Sequence, residues 1–401
     1  MISHKPRRTI THLLLAASIA VLLFGGGYSY GKYQTTQEQK KLLSQRNIDF
    51  TLFWNVWDTI SKKYVDQSKI DKNKMYLGAI KGMVAAIEDP YTFFLNTEEN
   101  KQSKDDLGGK FEGIGAQLGL KDNLVVVVAP LKNSPAEKAG IQAGDIIYKV
   151  DGTETKDMPL TRVVSLVRGD RGTKVTLSIV RTGKQLEFVV VRDVIQVESV
   201  ELTYEKNIAH LKLNQFGDKT VDEWETKVAD IRAKWGNREI KGLVLDLRDN
   251  PGGYLESSVY LAGEFLDAGK VVVKQESVVY ETKTYTVNRQ GKLLDVPMVV
   301  LVNKGSASAS EILSGALRDN KRAVLIGEKT FGKGSVQEAI DLGEGAGLHV
   351  TVAKWVLPGG EWINGKGIEP QIKVENTVQE GNTLTRENDI QLDRAIKEVT
   401  Q

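Results

Sequence analysis

"GEKTFGKGSVQEAIDLGEGAGLHVTVAKWV", Gly327 to Val356, admits two readings that lead to different folds. Gly327, Gly332 and Lys333 fit the nucleotide-binding pattern G-x-x-x-x-G-K-[ST], but Gly334 stands where a hydroxyl should hold Mg²⁺. A P-loop also needs a helix directly after its lysine, so that free amides hold the phosphate. Here the residues after Lys333 read as a strand, a Gly-rich turn and a second strand. The acidic strand that would partner a P-loop, "GLVLDLR", lies upstream of it. Lys333 therefore sits in a glycine loop that opens a hairpin, and it needs another task.

Working outward, "IAHLKL", "GLVLDLR", "PMVVLVN" and "AVLIGE" are short apolar strands. Between them lie the helical patterns "TVDEWETKVADIRAKW", "YLESSVYLAGEFL" and "SASEILSGALRD". Such alternation predicts a layered α/β domain over residues 194–375. Residues 105–193 have a different texture of short strands, Gly-rich turns and two hairpins, one at Lys121–Asn123 and one at Thr182–Gly183. In this stretch "SPAEKAG" reads as a short helix with Ser134 as cap, Pro135 in its first turn and Gly140 past its end. Residues 35–104 read as helices at 35–64 and about 74–87, ended by Pro90. The stripe of Phe50, Phe53, Trp54 and Trp57 in the first reads as core or a dimer contact. Residues 376–401 form a polar tail ending in a helix, which completes an α/β and β multi-domain chain.

The net charge of +2 gives no electrostatic case for nucleic acid. The absence of cysteine removes disulfides, thiolate metal sites and cysteine nucleophiles, and no metal or cofactor site is expected. Residues 1–34 begin with Lys5, Arg7 and Arg8, and no residue from Ile10 to Tyr30 is charged. At 1.5 Å per residue that run can cross a bilayer of about 30 Å. The basic flank would stay in the cytoplasm, which puts the rest of the chain outside the membrane. A cleaved signal peptide is the rival reading, but no A-x-A site follows the apolar run.

A second candidate for chemistry is "NKGSASASE", Asn303 to Glu311, between a buried strand and a helix. A serine there meets free N–H groups and a dipole that favour negative charge. Ser306, Ser308 and Ser310 compete, and periodicity cannot choose among them. A serine nucleophile needs a base. His4 and His12 lie at the N-terminal edge, and His210 and His349 read as packed strand residues. A lysine serves if desolvation keeps it neutral, which makes Lys333 the candidate base. Gly332 and Gly334 would then let the loop pass close to the nucleophile.

The stretches "EDPYTFF", "GIGAQL", "SPAEKAGIQAGDIIYKVDG", "LVRGDRGTKV", "LDLRDNPGGYL", "VNKGSASASE", "GEKTFGKGSVQ" and "GKGIEP" occur in this order. Together they resemble the carboxyl-terminal processing peptidases, the tail-specific serine proteases of family S41, over nearly the whole chain after residue 34. The resemblance implies a crotonase-like protease core. It places the nucleophile at Ser308, the lysine base at Lys333 and a glutamine oriented toward that lysine at Gln337. It places the oxyanion donors at the amides of Ala309 and of Gly253, with Gly252 as the alternative. The competing reading is a catalytically inactive adaptor on a protease fold.

"GIGAQL" with "SPAEKAGIQAGDIIYKVDG" also resembles a PDZ domain, which adds a peptide's C-terminal end as an extra strand. Gly113, Ile114, Gly115 and Ala116 would hold the carboxylate end. Leu160, Val163, Val164 and Val167 are candidate liners of the groove helix, and Val163 and Val167 are selected. The implied partners are proteins with exposed, apolar C-terminal tails, and the family resemblance implies that the N-terminal helices and the C-terminal tail are dimerisation elements of a homodimer. Arg168, more than Arg171, is the candidate link between tail binding and the catalytic residues.

Overall fold

The computed structural model describes residues 48–401, apart from 122, 123, 132, 159 and 377–383. The run Ile10–Tyr30 and the first part of the helix expected over 35–64 lie outside the described residues. Among the described residues no helix is long and apolar enough to cross a membrane. The helix Thr51–Lys63 buries none of its own residues. Its aromatic stripe of Phe53, Trp54 and Trp57 packs ring against ring and leaves Trp54 57% exposed among the described residues.

The α/β layer is a six-stranded sheet. Its spatial order is Val200–Glu205, Ile208–Leu213, Gly242–Asp246, Met298–Val302, Val324–Gly327 and Ile372–Lys373. All neighbours after the first pair run parallel. Parallel strands are covered on both faces and need apolar side chains throughout, which is why "GLVLD" and "MVVLV" are buried at every position. Leu243, Leu245 and Val300 face a core shared with Trp224, Leu261 and Leu313 from the helices Thr220–Gly236, Leu255–Ala262 and Ala309–Asp319. Val244, Val299 and Ile326 face the other way, onto Leu392, Ala395 and Ile396 of the C-terminal helix Ile390–Val399.

That C-terminal helix is pinned by buried charge. Arg248 donates to both carboxylate oxygens of Asp389, at 2.8 Å each, and to Asp246 at 2.7 Å. Asp246 also pairs with His210 at 3.0 Å, so His210 is a strand residue engaged in this cluster. Removing one member of such a cluster strands a buried charge, at a cost of about 3–5 kcal/mol. Asp246 and Arg248 lie in "LDLRDNPGG", so the cluster fixes the strand end from which the glycine turn starts.

A second sheet pairs Ser335–Gly343 with Ala346–Val356 as an antiparallel hairpin, the strand reading of the opening stretch. The strand Ala346–Val356 also pairs with Phe93–Leu95 and with Val271–Glu276. The smaller domain is a six-stranded antiparallel sheet around Val125, Ile147, Leu177 and Ile179. Ser134 caps the short helix Pro135–Lys138 by accepting from the Glu137 amide at 3.1 Å. A two-stranded sheet, Lys110–Gly113 with Asp193–Gln196, joins the two ends of this domain.

Candidate active site

The helix Ala309–Asp319 begins where the sheet ends, and Ser308 is the residue before it. Ser308 has φ +56°, a left-handed conformation costly for a side-chain-bearing residue. The fold separates the three competing serines. Ser306 Oγ donates to the Leu247 carbonyl at 2.8 Å, and Ser310 Oγ to the Asn250 carbonyl at 2.9 Å. Both are fully buried braces for the neighbouring loop. Only Ser308 opens onto a cavity of about 460 Å³ that also receives Gly253, Lys333, Gln337 and His349.

Glu311, one turn into the same helix, is completely buried. Its Oε2 accepts from the amides of Ser308 and Lys333, each at 2.9 Å. Its Oε1 accepts from the Gly332 amide at 2.7 Å and from Thr330 Oγ1 at 2.5 Å. One carboxylate thus holds the serine and the lysine loop. Sequence reasoning missed it, although Ser308-x-x-Glu311 is a capping-box spacing.

The rest of the lysine loop is equally tied. The Lys333 carbonyl accepts from Trp355 Nε1 at 3.1 Å, and the Gly334 carbonyl from Trp362 Nε1 at 2.9 Å. A Cβ on Gly332 would lie 2.6 Å from the Gly367 amide, and one on Gly334 2.6 Å from the Asn364 amide. The loop's glycines are therefore needed against the segment 363–367. The expectation that they clear the nucleophile is corrected: Gly252 does so, since a Cβ there would lie 2.7 Å from Ser308 Cβ. The Lys333 amine sits over the Tyr91 ring, 5.1 Å from its centroid. Burial pushes its pKa down, and the negative charges of Asp89 and Glu311 only partly oppose that.

The glycine turn distinguishes Gly252 from Gly253. The Gly252 amide already donates to Asn250 Oδ1 at 2.9 Å. Among the described residues the Gly253 and Ala309 amides meet no acceptor. Gly253 has φ +136°, and a Cβ there would collide with the Phe216 carbonyl.

Gln337 lines the same cavity, but its amide donates to Ser335 Oγ at 2.9 Å and Thr351 Oγ1 at 3.1 Å, not to Lys333. His349 is stacked on Phe93 with centroids 4.7 Å apart. Burial and the nearby Lys333 charge push its pKa below the ordinary imidazole value. Reading it only as a packed strand residue overlooked its place on the cavity wall.

In the smaller domain, Gly113, Ile114, Gly115, Ala116, Val164 and Val167 line a groove of about 210 Å³. Val163 is not among its walls. It is fully buried in the domain core. Val164 takes its place. Arg168, at the groove's end, donates to Asp106 at 2.9 Å and lies over the Phe111 ring at 5.0 Å. Arg171 pairs with Asp193 at 3.0 Å.

A buried-sheet α/β core with a serine at a helix start, joined to a groove-bearing β domain, defines a peptidase with a PDZ module. Residues 207–374 match peptidase family S41, residues 126–181 a PDZ domain, and residues 22–99 the N-terminal domain of the activating protease CtpB. The chain is 40% identical over 336 residues to a carboxy-terminal-processing protease of Bartonella bacilliformis, covering 82% of this chain and 75% of that one. It is 39% identical over 338 residues to the carboxy-terminal processing protease CtpA of Bacillus subtilis, covering 84% and 71%. The solved photosystem II D1 C-terminal processing protease is 30% identical, with a TM-score of 0.53 over 82% of this chain and 94% of that one. The chain belongs to peptidase family S41 and is a serine-type C-terminal processing peptidase.

Proposed function

We propose that this chain cleaves peptide bonds with Ser308 as nucleophile and Lys333 as general base, after its PDZ groove has taken an apolar C-terminal tail. The observation that carries the reading is the meeting of Ser308, Lys333 and Gly253 around one cavity, with the lysine's pKa lowered by burial. Neutral Lys333 Nζ takes the Ser308 proton as Oγ attacks the scissile carbonyl carbon. The amides of Gly253 and Ala309 then receive the oxyanion, each worth about 3 kcal/mol in the transition state. The ammonium returns its proton to the leaving amine, and the C–N bond breaks. Water, deprotonated by the same lysine, hydrolyses the acyl-enzyme. Gln337 orients the amine in the working arrangement, which requires its amide to turn from Ser335 and Thr351.

Because the lysine must be neutral, activity rises with pH through a folded-state pKa below its ordinary value of about 10.4. In single-turnover cleavage of an unfolded protein, Ser308→Ala and Lys333→Ala abolish activity while leaving the fold intact. Gln337→Glu shifts the acid limb to higher pH, since a carboxylate beside the amine favours the ammonium form. Substantial activity in either alanine variant contradicts the pair, and an acid limb that stays or moves lower contradicts the Gln337 contact.

Arg168 is proposed to couple the groove to the cavity. It joins the groove's end to Asp106, which lies in the helix Thr97–Leu107. A tail can shift that arrangement only through differential affinity for two states. With a non-cleavable apolar C-terminal peptide, Arg168→Ala loses activation in steady-state kinetics more than it loses peptide affinity. Unchanged activation makes Arg168 an ordinary groove-edge charge.

The N-terminal run is proposed to anchor the chain with its peptidase outside the cytoplasmic membrane. The support is the uncharged stretch Ile10–Tyr30 beside Lys5, Arg7 and Arg8. Protease added to intact spheroplasts should digest the chain beyond residue 35, whereas protection of the whole domain reverses the orientation.

A further inference from the structure

The turn Asp89–Thr92 links the helix Lys72–Ala85 to the strand Phe93–Leu95, and the mechanism above gives it no role. Its geometry is fixed from within and from without. Asp89 Oδ1 accepts from the Tyr91 amide at 3.0 Å, and Oδ2 from Thr92 Oγ1 at 2.7 Å. The buried Thr92 Oγ1 in turn accepts from the Thr351 amide at 3.0 Å. Thr351 Oγ1 is an acceptor for Gln337, and the next residue after the turn, Phe93, is registered opposite His349. The turn is thus locked to the hairpin that carries Gln337 and His349. From this turn the Tyr91 ring meets Lys333, with the amine 5.1 Å from its centroid.

A ring face attracts an ammonium group through its quadrupole and has no comparable attraction for a neutral amine. In the reading given above, on which this inference rests, Lys333 becomes an ammonium as Ser308 loses its proton. We propose that Tyr91 is a positioning residue for Lys333: its ring face seats the ammonium formed during attack, and the Asp89–Thr92 turn holds that ring against the catalytic hairpin. The proton passes from Ser308 Oγ to Lys333 Nζ, stays there above the ring, and leaves with the amine product. Tyr91 neither gains nor loses one.

Four titratable groups surround the amine. Asp89 and Tyr91 come from the turn, Glu311 from the helix Ala309–Asp319, and His349 from the strand Ala346–Val356. Burial opposes the charge on Asp89, but hydrogen bonds from Thr351, Thr92 and the Tyr91 amide outweigh it and keep the carboxyl below its usual range. Burial, with Glu311 and Asp89, pushes the Tyr91 hydroxyl above its ordinary value, so the ring acts as a neutral phenol. His349 is neutral at and above neutral pH, since its pKa is pushed down. The attractive surroundings of the ammonium are therefore two carboxylates and one ring.

The test is the pH profile of single-turnover cleavage by the full chain and its Tyr91→Leu, Tyr91→Phe and Asp89→Asn variants, each with a thermal melt. Removing the ring lowers the lysine's pKa, so Tyr91→Leu moves the acid limb down by about half a unit to one unit. It also lowers the high-pH plateau roughly 3- to 10-fold. Tyr91→Phe keeps the ring face and leaves the limb where it was. Asp89→Asn moves the limb down as well, because it removes a charge and keeps an acceptor for the Tyr91 amide. An unmoved limb in Tyr91→Leu overturns the proposal, and so does a Tyr91→Phe limb that moves as far as the Tyr91→Leu limb. If Tyr91→Leu does not fold, Tyr91→Met takes its place as the ring-removing variant: a lower limb there with none in Tyr91→Phe supports the seat, and any other pattern overturns it. Failure of the lysine base itself is distinguishable, since Lys333→Ala would then keep its activity.

Discussion

The site depends on one buried carboxylate. Glu311 accepts four hydrogen bonds, two at each oxygen, from Ser308, Thr330, Gly332 and Lys333. Burying an isolated carboxylate costs several kcal/mol, so such a group persists only where donors replace its water. Here the donors are three backbone amides and the Thr330 hydroxyl, from two segments that the chain brings together from either end of the strand Val324–Gly327. The same charge that holds the segments also favours the ammonium form of Lys333, so positioning and basicity pull against each other. Burial of the lysine wins, which leaves its pKa below the ordinary value.

Around this clamp the backbone is held in conformations that the side chains explain. Ser308 is left-handed, and Gly252 is a glycine because the serine's own Cβ passes beside it. Ser306 and Ser310, buried on either side, donate to the loop that leads into that turn. The parallel sheet supplies the frame. Its strands Gly242–Asp246 and Met298–Val302 are neighbours, so the glycine turn after one and the serine loop after the other end at the same edge. The Asp246–Arg248–Asp389 cluster keeps the first of these strand ends in place from the opposite face.

Local patterning made the fold class legible. The alternation of apolar strands and amphipathic helices after residue 207 identified the layered α/β region, and the glycine punctuation before it the β domain. The motif residues Ser308, Lys333, Gln337 and Gly253 do gather at one cavity. What stayed hidden was set by contacts distant in sequence. Nothing local to "EDPYTFF" shows that Phe93–Leu95 joins the strand Ala346–Val356, or that Tyr91 reaches Lys333. The groove helix buries Val163 and presents Val164, a distinction that a run of apolar residues over two turns does not encode. Glu311 was readable as a helix cap, but its second set of partners lies in another segment.

The most direct test of the carboxylate clamp is single-turnover cleavage by Glu311→Gln, followed as a function of pH alongside its thermal melt. Glutamine matches the shape, but its amide nitrogen faces N–H donors, so it cannot accept at both positions. The clamp predicts a folded protein that has lost at least about 100-fold in rate, a few kcal/mol of transition-state alignment. It also predicts an acid limb moved to lower pH, because a negative charge near Lys333 has gone. A folded Glu311→Gln variant with a rate within a few-fold of the parent and an unmoved limb would contradict it.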